Sequence, residues 1–198
     1  MLPVSKGVPV ERLRAAIAIG LTTFGENRVH EAAAKAGDLP GARWELVGHL
    51  QSNKARPAVE LFEVIHSVHS LDLAARLDRL AGEHDRDRLP VFLEVNVDAD
   101  PAKAGFSPDS LAGVMPDLGK LAHLELRGLM TVGRLVDEPE GARPTFAALH
   151  RLSAELRARY AGLGPGLSMG MSADFEVAVE EGATVVRVGS AIFGPRPG

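Results

Sequence analysis

Two rhythms of apolar and polar positions alternate along the chain. Short β-rich runs occur at 2–6 (LPVSK), 23–27 (TFGEN), 43–49 (RWELVGH) and 64–68 (VIHSV). Four more follow at 90–97 (PVFLEVNV), 124–132 (LELRGLMTV), 167–171 (LSMGM) and 185–190 (VVRVGS). Between them apolar residues recur at steps of three and four: Val10, Leu13, Ile17 and Leu21; Leu73, Leu77 and Leu80; Phe146, Leu149, Leu152 and Leu156. The first rhythm predicts strands and the second predicts helices with one apolar face. Gly37, Asp38 and Pro40 mark a turn, Ser107, Pro108 and Asp109 a helix start, and Gly182 a helix stop.

A run such as VFLEVNV, apolar at most positions, suits a strand buried on both faces of a parallel sheet. Strands alternating with helices in this number predict a (β/α)₈ TIM-type barrel. A doubly wound open sheet is the runner-up, because its local pattern is the same. GLGPG at 162–166 follows a helix and precedes a strand, the reverse of a dinucleotide-binding loop. No linker divides the sequence, so residues 1–198 are expected to form a single domain. No helical pattern precedes the first strand, and only AIFGPRPG follows the last. The barrel is therefore expected to have seven covering helices. One stave would be uncovered, with an exposed apolar strip along strands one and eight through which an otherwise monomeric chain could associate.

Composition narrows the function classes. The chain is 198 residues long, 45% hydrophobic and 24% charged, with a net charge of −4. Acidic and basic residues are interspersed, which argues against nucleic acid or a membrane surface as partner. The absence of Cys excludes disulfides, thiol catalysis and thiolate-bound metal. No stretch approaches the roughly 18 apolar residues of a membrane span, and the first residues lack a signal-peptide core. A cytoplasmic location is expected.

In a barrel the functional side chains stand at the C-terminal ends of the strands. Those ends carry Lys6, Asn27, His49, His66 with Ser67, Asn96, Met130 with Thr131, Met171 with Ser172 and Asp174, and Arg187 with Gly189 and Ser190. Lys6 either snorkels at a strand end or sits in a partly dry pocket. Burial there would lower its pKa and free the amine to form a Schiff base. In MSADF (171–175), Ser172 or Asp174 either caps the following helix or shares that helix start with a bound phosphate. Gly189 would allow close backbone approach, and Ser190 would add a hydroxyl. Arg187 points inward from an apolar strand and needs a partner. The choices are a carboxylate such as Glu94, or a heteroaromatic nitrogen that an obligate cation would keep unprotonated. In GHLQSNK (48–54), Ser52 or Asn53 could cap a helix, and His49 could be a hydrogen-bonded strand-end histidine. His66 and His69 straddle a strand end and a turn, so they share no helical face, and no metal is expected. A cofactor-free barrel using Lys6 on sugar phosphates stays open at this point.

The residues VSK (4–6), FGEN (24–27), GHLQSNK (48–54), IHSV (65–68), VNV (95–97) and GF (105–106) stand in order along the chain. RGLMT (127–131), SMGMSADFEVAVEEGAT (168–184) and VRVGSAIFG (186–194) complete the series. Together they resemble the pyridoxal phosphate homeostasis family, single-domain relatives of the alanine racemase N-terminal barrel. The resemblance implies pyridoxal 5′-phosphate (PLP) held as a Schiff base on Lys6, with Arg187 beside the pyridine nitrogen. Ser172, Gly189 and Ser190 match phosphate-binding positions, and Asn27, His49 and Met171 match pocket-lining ones. The implied role is binding and delivering the cofactor within vitamin B6 homeostasis, with PLP-dependent apo-enzymes as recipients and no established catalytic activity. The alternative is an amino-acid racemase. Racemases of this fold draw a tyrosine base from a second domain, whereas the only tyrosine here, Tyr160, lies in a helical pattern. The chain departs from the family in two places. It begins at the first strand without the usual N-terminal helix, and AKAGF (102–106) has Ala104 where the family often has Ser. Lys103 in that loop reads as a solvated lysine in preference to a second amine for the cofactor.

Overall fold

The computed structural model describes residues 1–84, 86–134 and 136–194. Eight strands are present: β1 (Leu2–Pro3), β2 (Thr23–Glu26), β3 (Arg43–Leu46), β4 (Val64–Val68), β5 (Leu89–Glu94), β6 (Leu124–Met130), β7 (Gly166–Met171) and β8 (Val185–Val188). The helices are α1 (Val10–Ala18), α2 (Val29–Ala36), α3 (Ala55–Leu61), α4 (Leu71–Glu83), α5 (Pro108–Leu118), α6 (Arg143–Arg159), α7 (Phe175–Glu180) and α8 (Ser190–Phe193). All strand pairs are parallel, in the order β1-β8-β7-β6-β5-β4-β3-β2. A bridge between Val4 and Gly25, with the Ser5 N–H on the Gly25 carbonyl at 2.8 Å, closes the ring between β1 and β2. The fold is the expected barrel, and the open sheet is set aside.

Period two divides the apolar residues between two cores. Ile65, Leu93 and Leu129 belong to the large cluster that packs the strands against the helices. Their sequence neighbours Val64, Phe92 and Met130 form a separate buried cluster, which lies inside the ring. The helices start and stop where polar signals place them. The Ser107 hydroxyl accepts from the Ser110 N–H ahead of Pro108, Ser70 does the same for Leu73, and Gly182 follows α7 with φ +93°.

Two expectations about the ends are corrected. An eighth helix exists, one turn long. The N–H groups of Ile192 and Phe193 donate to the Gly189 carbonyl, and both side chains pack on the large cluster. Arg12 ties α1 to that turn through the Phe193 carbonyl at 2.6 Å. The apolar strip is also not exposed: Leu2, Pro3, Val186 and Val188 are all buried. The final four residues of AIFGPRPG, 195–198, lie outside the described residues.

Gly170 is required where β7 meets α7. Its φ is +89°, and a Cβ there would stand 2.4 Å from the Ala178 Cβ. Gly170→Ala is expected to cost roughly 1–3 kcal/mol by combining backbone strain with overpacking. A denaturant midpoint unchanged from the parent would contradict this account of the β7–α7 junction.

Candidate functional site

The chain leaves β1 through a turn at Lys6, and the geometry of that turn is set from below. Glu26, at the end of β2, is fully buried. Its carboxylate accepts from the Ser5 hydroxyl (3.0 Å), the Asn27 N–H (2.7 Å) and the Lys35 ammonium (2.5 Å). Lys35 also donates to the Ser5 carbonyl at 2.7 Å, so both the hydroxyl and the carbonyl of the residue that leads into Lys6 are held. The Lys6 side chain itself makes no hydrogen bond or ion pair among the described residues. It lines a cavity of about 520 Å³ together with Asn27, His30, His49 and Lys54. Gly48 brings His49 close to Asn27, since a Cβ at Gly48 would lie 2.3 Å from the Asn27 carbonyl oxygen. Lys6, Asn27 and His49 thus line one cavity, which Met171, Ser172, Arg187, Gly189 and Ser190 do not line.

His49 forms none of the expected hydrogen bonds among the described residues. Its ring stacks on His69 with centroids 4.5 Å apart. The His69 Nδ1–H donates to the Ser67 carbonyl, and burial lowers the His69 pKa. Glu94 has a carboxylate oxygen within 4.8 Å of a ring nitrogen of each histidine, and its buried Oε2 holds no hydrogen bond. Burial raises its pKa, with Arg187 opposing from a distance. A second cavity of about 470 Å³ opens between His49, Glu94, Asn96 and Lys103.

Arg187 does not pair with Glu94. Its guanidinium donates to the Ser168 carbonyl (2.7 Å), the Ser168 hydroxyl (2.8 Å) and the Thr131 carbonyl (2.8 Å). Full burial pushes its pKa down to about 10, which leaves it cationic at neutral pH. The Ser168 O–H then donates to His66 Nδ1, and His66 Nε2–H donates to Glu45, each at 2.9 Å. Arg187 can only donate and the carboxylate only accept, so the neutral Nε2–H tautomer of His66 completes a chain that runs in one direction. Burial lowers the His66 pKa in the same sense. His66 is therefore an interior residue stacked on Phe92, two positions below the end of β4, and no mouth residue.

The β7 and β8 ends meet through Ser172, whose hydroxyl accepts from the N–H groups of Gly189 (3.2 Å) and Ala191 (3.5 Å). Neither candidate caps α7: the Asp174 carboxylate accepts from the Met171 N–H at 2.6 Å. Ser52 and Asn53 likewise make no cap to α3 and form a short 3₁₀ turn ahead of it. Met171 pairs in register with Arg187, and Ser190 is exposed at the first position of α8. β1 lies beside β8, pairing Leu2 with Arg187 and Pro3 with Val188. Lys6 and Gly189 therefore leave adjoining staves.

Two loop residues differ from their sequence reading. Lys103 is a strap, donating to the carbonyls of Val132 (3.2 Å) and Gly133 (2.9 Å). Asn96 organises its own loop through the Asp100 N–H and carbonyl. Glu26 and Lys35 are functional candidates that sequence reasoning missed, and His69 is one that it weighed and set aside. The pairing of Glu26 with Lys35 follows no spacing rule, and only the barrel brings His69 to His49.

Over residues 5–197 the chain matches the family model described as alanine racemase, N-terminal domain. It is 42% identical to the pyridoxal phosphate homeostasis protein of Pseudomonas aeruginosa, covering 99% of this chain and 84% of that one. The protein of the same description from Aquifex aeolicus is 38% identical, with 99% and 86% covered. PipY of Synechococcus elongatus, solved with PLP bound, superposes with a TM-score of 0.90 at 45% identity over 98% of this chain and 91% of that one. An alanine racemase of Clostridium difficile shares the fold at 16% identity, with a TM-score of 0.81 over 100% of this chain and 52% of the racemase.

Proposed function

The chain belongs to the pyridoxal phosphate homeostasis family, and from that premise we propose that it binds pyridoxal 5′-phosphate at the barrel mouth and carries it within the vitamin B6 pool. When bound, the cofactor supplies an electrophilic aldehyde and a phosphate dianion to the groups around it. Lys6 is the amine that takes the aldehyde. It lines the mouth cavity, with no partner among the described residues to compete for its Nζ. Ser172, Gly189 and Ser190 take the phosphate. Two observations support that assignment. Two backbone N–H groups already converge on the Ser172 hydroxyl, and a Cβ added to Gly189 would meet nothing closer than the Val4 carbonyl at 3.4 Å. The observation that carries the reading is this adjacency: the amine and the anion-facing loop leave neighbouring strands of the ring.

Arg187, deeper in the ring, would stand beside the pyridine nitrogen. A fixed cation there would leave that nitrogen unprotonated, which would make the ring a weak electron sink and disfavour carbanion chemistry. Asn27, His49 and Met171 border the cofactor. Proton transfer at two faces needs a second base, and Tyr160 does not supply it. Its hydroxyl donates to the Ala112 carbonyl in the outer helical layer. These features support a carrier or regulator over a racemase. PLP-dependent apo-enzymes as recipients, one domain, a monomeric state and a cytoplasmic location accompany that reading. Among the described residues no helix is long and apolar enough to cross a membrane.

The test is a full chain loaded with pyridoxal 5′-phosphate. One equivalent should absorb in the near-visible, borohydride should fix it on the Lys6 peptide, and an apo-enzyme should recover activity when mixed with it. Single L-amino acids should keep their chirality in its presence. A racemised amino acid above the free-cofactor background would replace the carrier with an enzyme. No near-visible band at all would favour cofactor-free sugar-phosphate chemistry.

A further inference from the structure

We propose that His49, His69 and Glu94 form a binding site for a divalent first-row transition metal, zinc above all, on the side of the mouth away from the phosphate-facing loop. One ligand atom from each residue lies within 4.8 Å of the other two, a spread that small side-chain rotations close to coordination distance. The three residues come from the ends of β3, β4 and β5, so the barrel builds the cluster and no local motif does.

Two features point to a ligand and exceed what packing requires. Glu94 Oε2 is buried without a hydrogen-bond partner, a costly arrangement unless something else satisfies it. His69 donates its Nδ1–H to the Ser67 carbonyl, which directs the Nε2 lone pair outward, the second-sphere arrangement found behind metal-bound imidazoles. The two imidazoles stack with centroids 4.5 Å apart, so binding one ion requires a ring rotation that turns their lone pairs together. Two imidazoles and a carboxylate are the donor set of an open zinc site, with a fourth position left for water or a small-molecule oxygen. His49 and Glu94 line the cavity bordered by Asn96 and Lys103, which gives an entry path. The sequence pairing of His66 with His69 pointed away from this set, because His66 is committed to Glu45 and Ser168 in the interior.

The site shares His49 with the cofactor reading and does not depend on it, so it is tested in the absence of added cofactor. The full chain, treated with chelator and dialysed, is titrated with Co²⁺ while visible d–d absorption is followed. One equivalent is expected to bind with a Kd below about 10 μM, and Zn²⁺ should displace it. His69→Ala and Glu94→Gln are each expected to weaken binding by about a hundredfold or more. His84→Ala, at the surface end of α4, should leave it unchanged. His69→Ala should also retain pyridoxal 5′-phosphate within about twofold, which separates the metal from the cofactor. Co²⁺ affinity unchanged in both His69→Ala and Glu94→Gln overturns the proposal. So does the absence of saturable d–d absorption up to about 1 mM Co²⁺.

Discussion

Lys6→Ala is expected to abolish the near-visible absorption of the cofactor-loaded protein and to weaken retention by about a hundredfold, ~3 kcal/mol. The remaining contacts, a phosphate on Ser172 and the β8 loop, would hold the cofactor only reversibly. Stability should change by no more than about 0.5 kcal/mol, because the Lys6 side chain makes no hydrogen bond or ion pair among the described residues. This separates loss of the amine from loss of the fold. Absorbance, equilibrium dialysis and a thermal midpoint measured together read all three. Lys54 and Lys103 are the other amines near the mouth, and the Lys103 Nζ is committed to the Val132 and Gly133 carbonyls. If Lys6→Ala keeps the band and Lys103→Ala removes it, the cofactor belongs on Lys103 and the assignment of Lys6 fails.

The barrel was legible because its strands and helices carry different periods and because parallel strands buried on both faces leave long apolar runs. What escaped is short. α8 spans a single turn, too few residues for a helical period to register, and its apolar Ile192 and Phe193 look the same as a strand end. The strip expected along β1 and β8 was inferred from the missing helical pattern, yet Leu2, Pro3, Val186 and Val188 are buried.

At the site, strand-end logic found Lys6, Asn27 and His49, since each follows the last residue that its strand's pairing requires. It misplaced His66, because β4 runs on to Val68 and period two turns a mid-strand residue inward. Arg187 was assigned correctly as an inward cation in need of partners. Its choice of Ser168 and Thr131 over Glu94 depends on carbonyls in neighbouring strands, and no sequence distance encodes which carbonyls those will be.

The second large effect concerns the clamp beneath Lys6. Glu26→Leu is expected to cost roughly 3–5 kcal/mol, because it leaves the Lys35 ammonium, 12% exposed, without its counter-charge. Lys35→Met should cost a similar amount by leaving a fully buried carboxylate supported only by the Ser5 hydroxyl and the Asn27 N–H. The double variant Glu26→Leu/Lys35→Met should be more stable than the sum of the singles implies, with a coupling of about 1–3 kcal/mol, since it removes both charges at once. Cofactor retention should not recover in parallel. Lys35 holds the Ser5 carbonyl and Glu26 holds Ser5 and Asn27, so the double variant regains electrostatic balance while the turn that aims Lys6 stays loose. Urea unfolding gives the stabilities, and borohydride fixation on Lys6 at a temperature where every variant is folded gives the retention. Additive stabilities, or a double variant that fixes cofactor as well as the parent does, would show that the ion pair is ordinary packing and that Lys6 is aimed by other contacts.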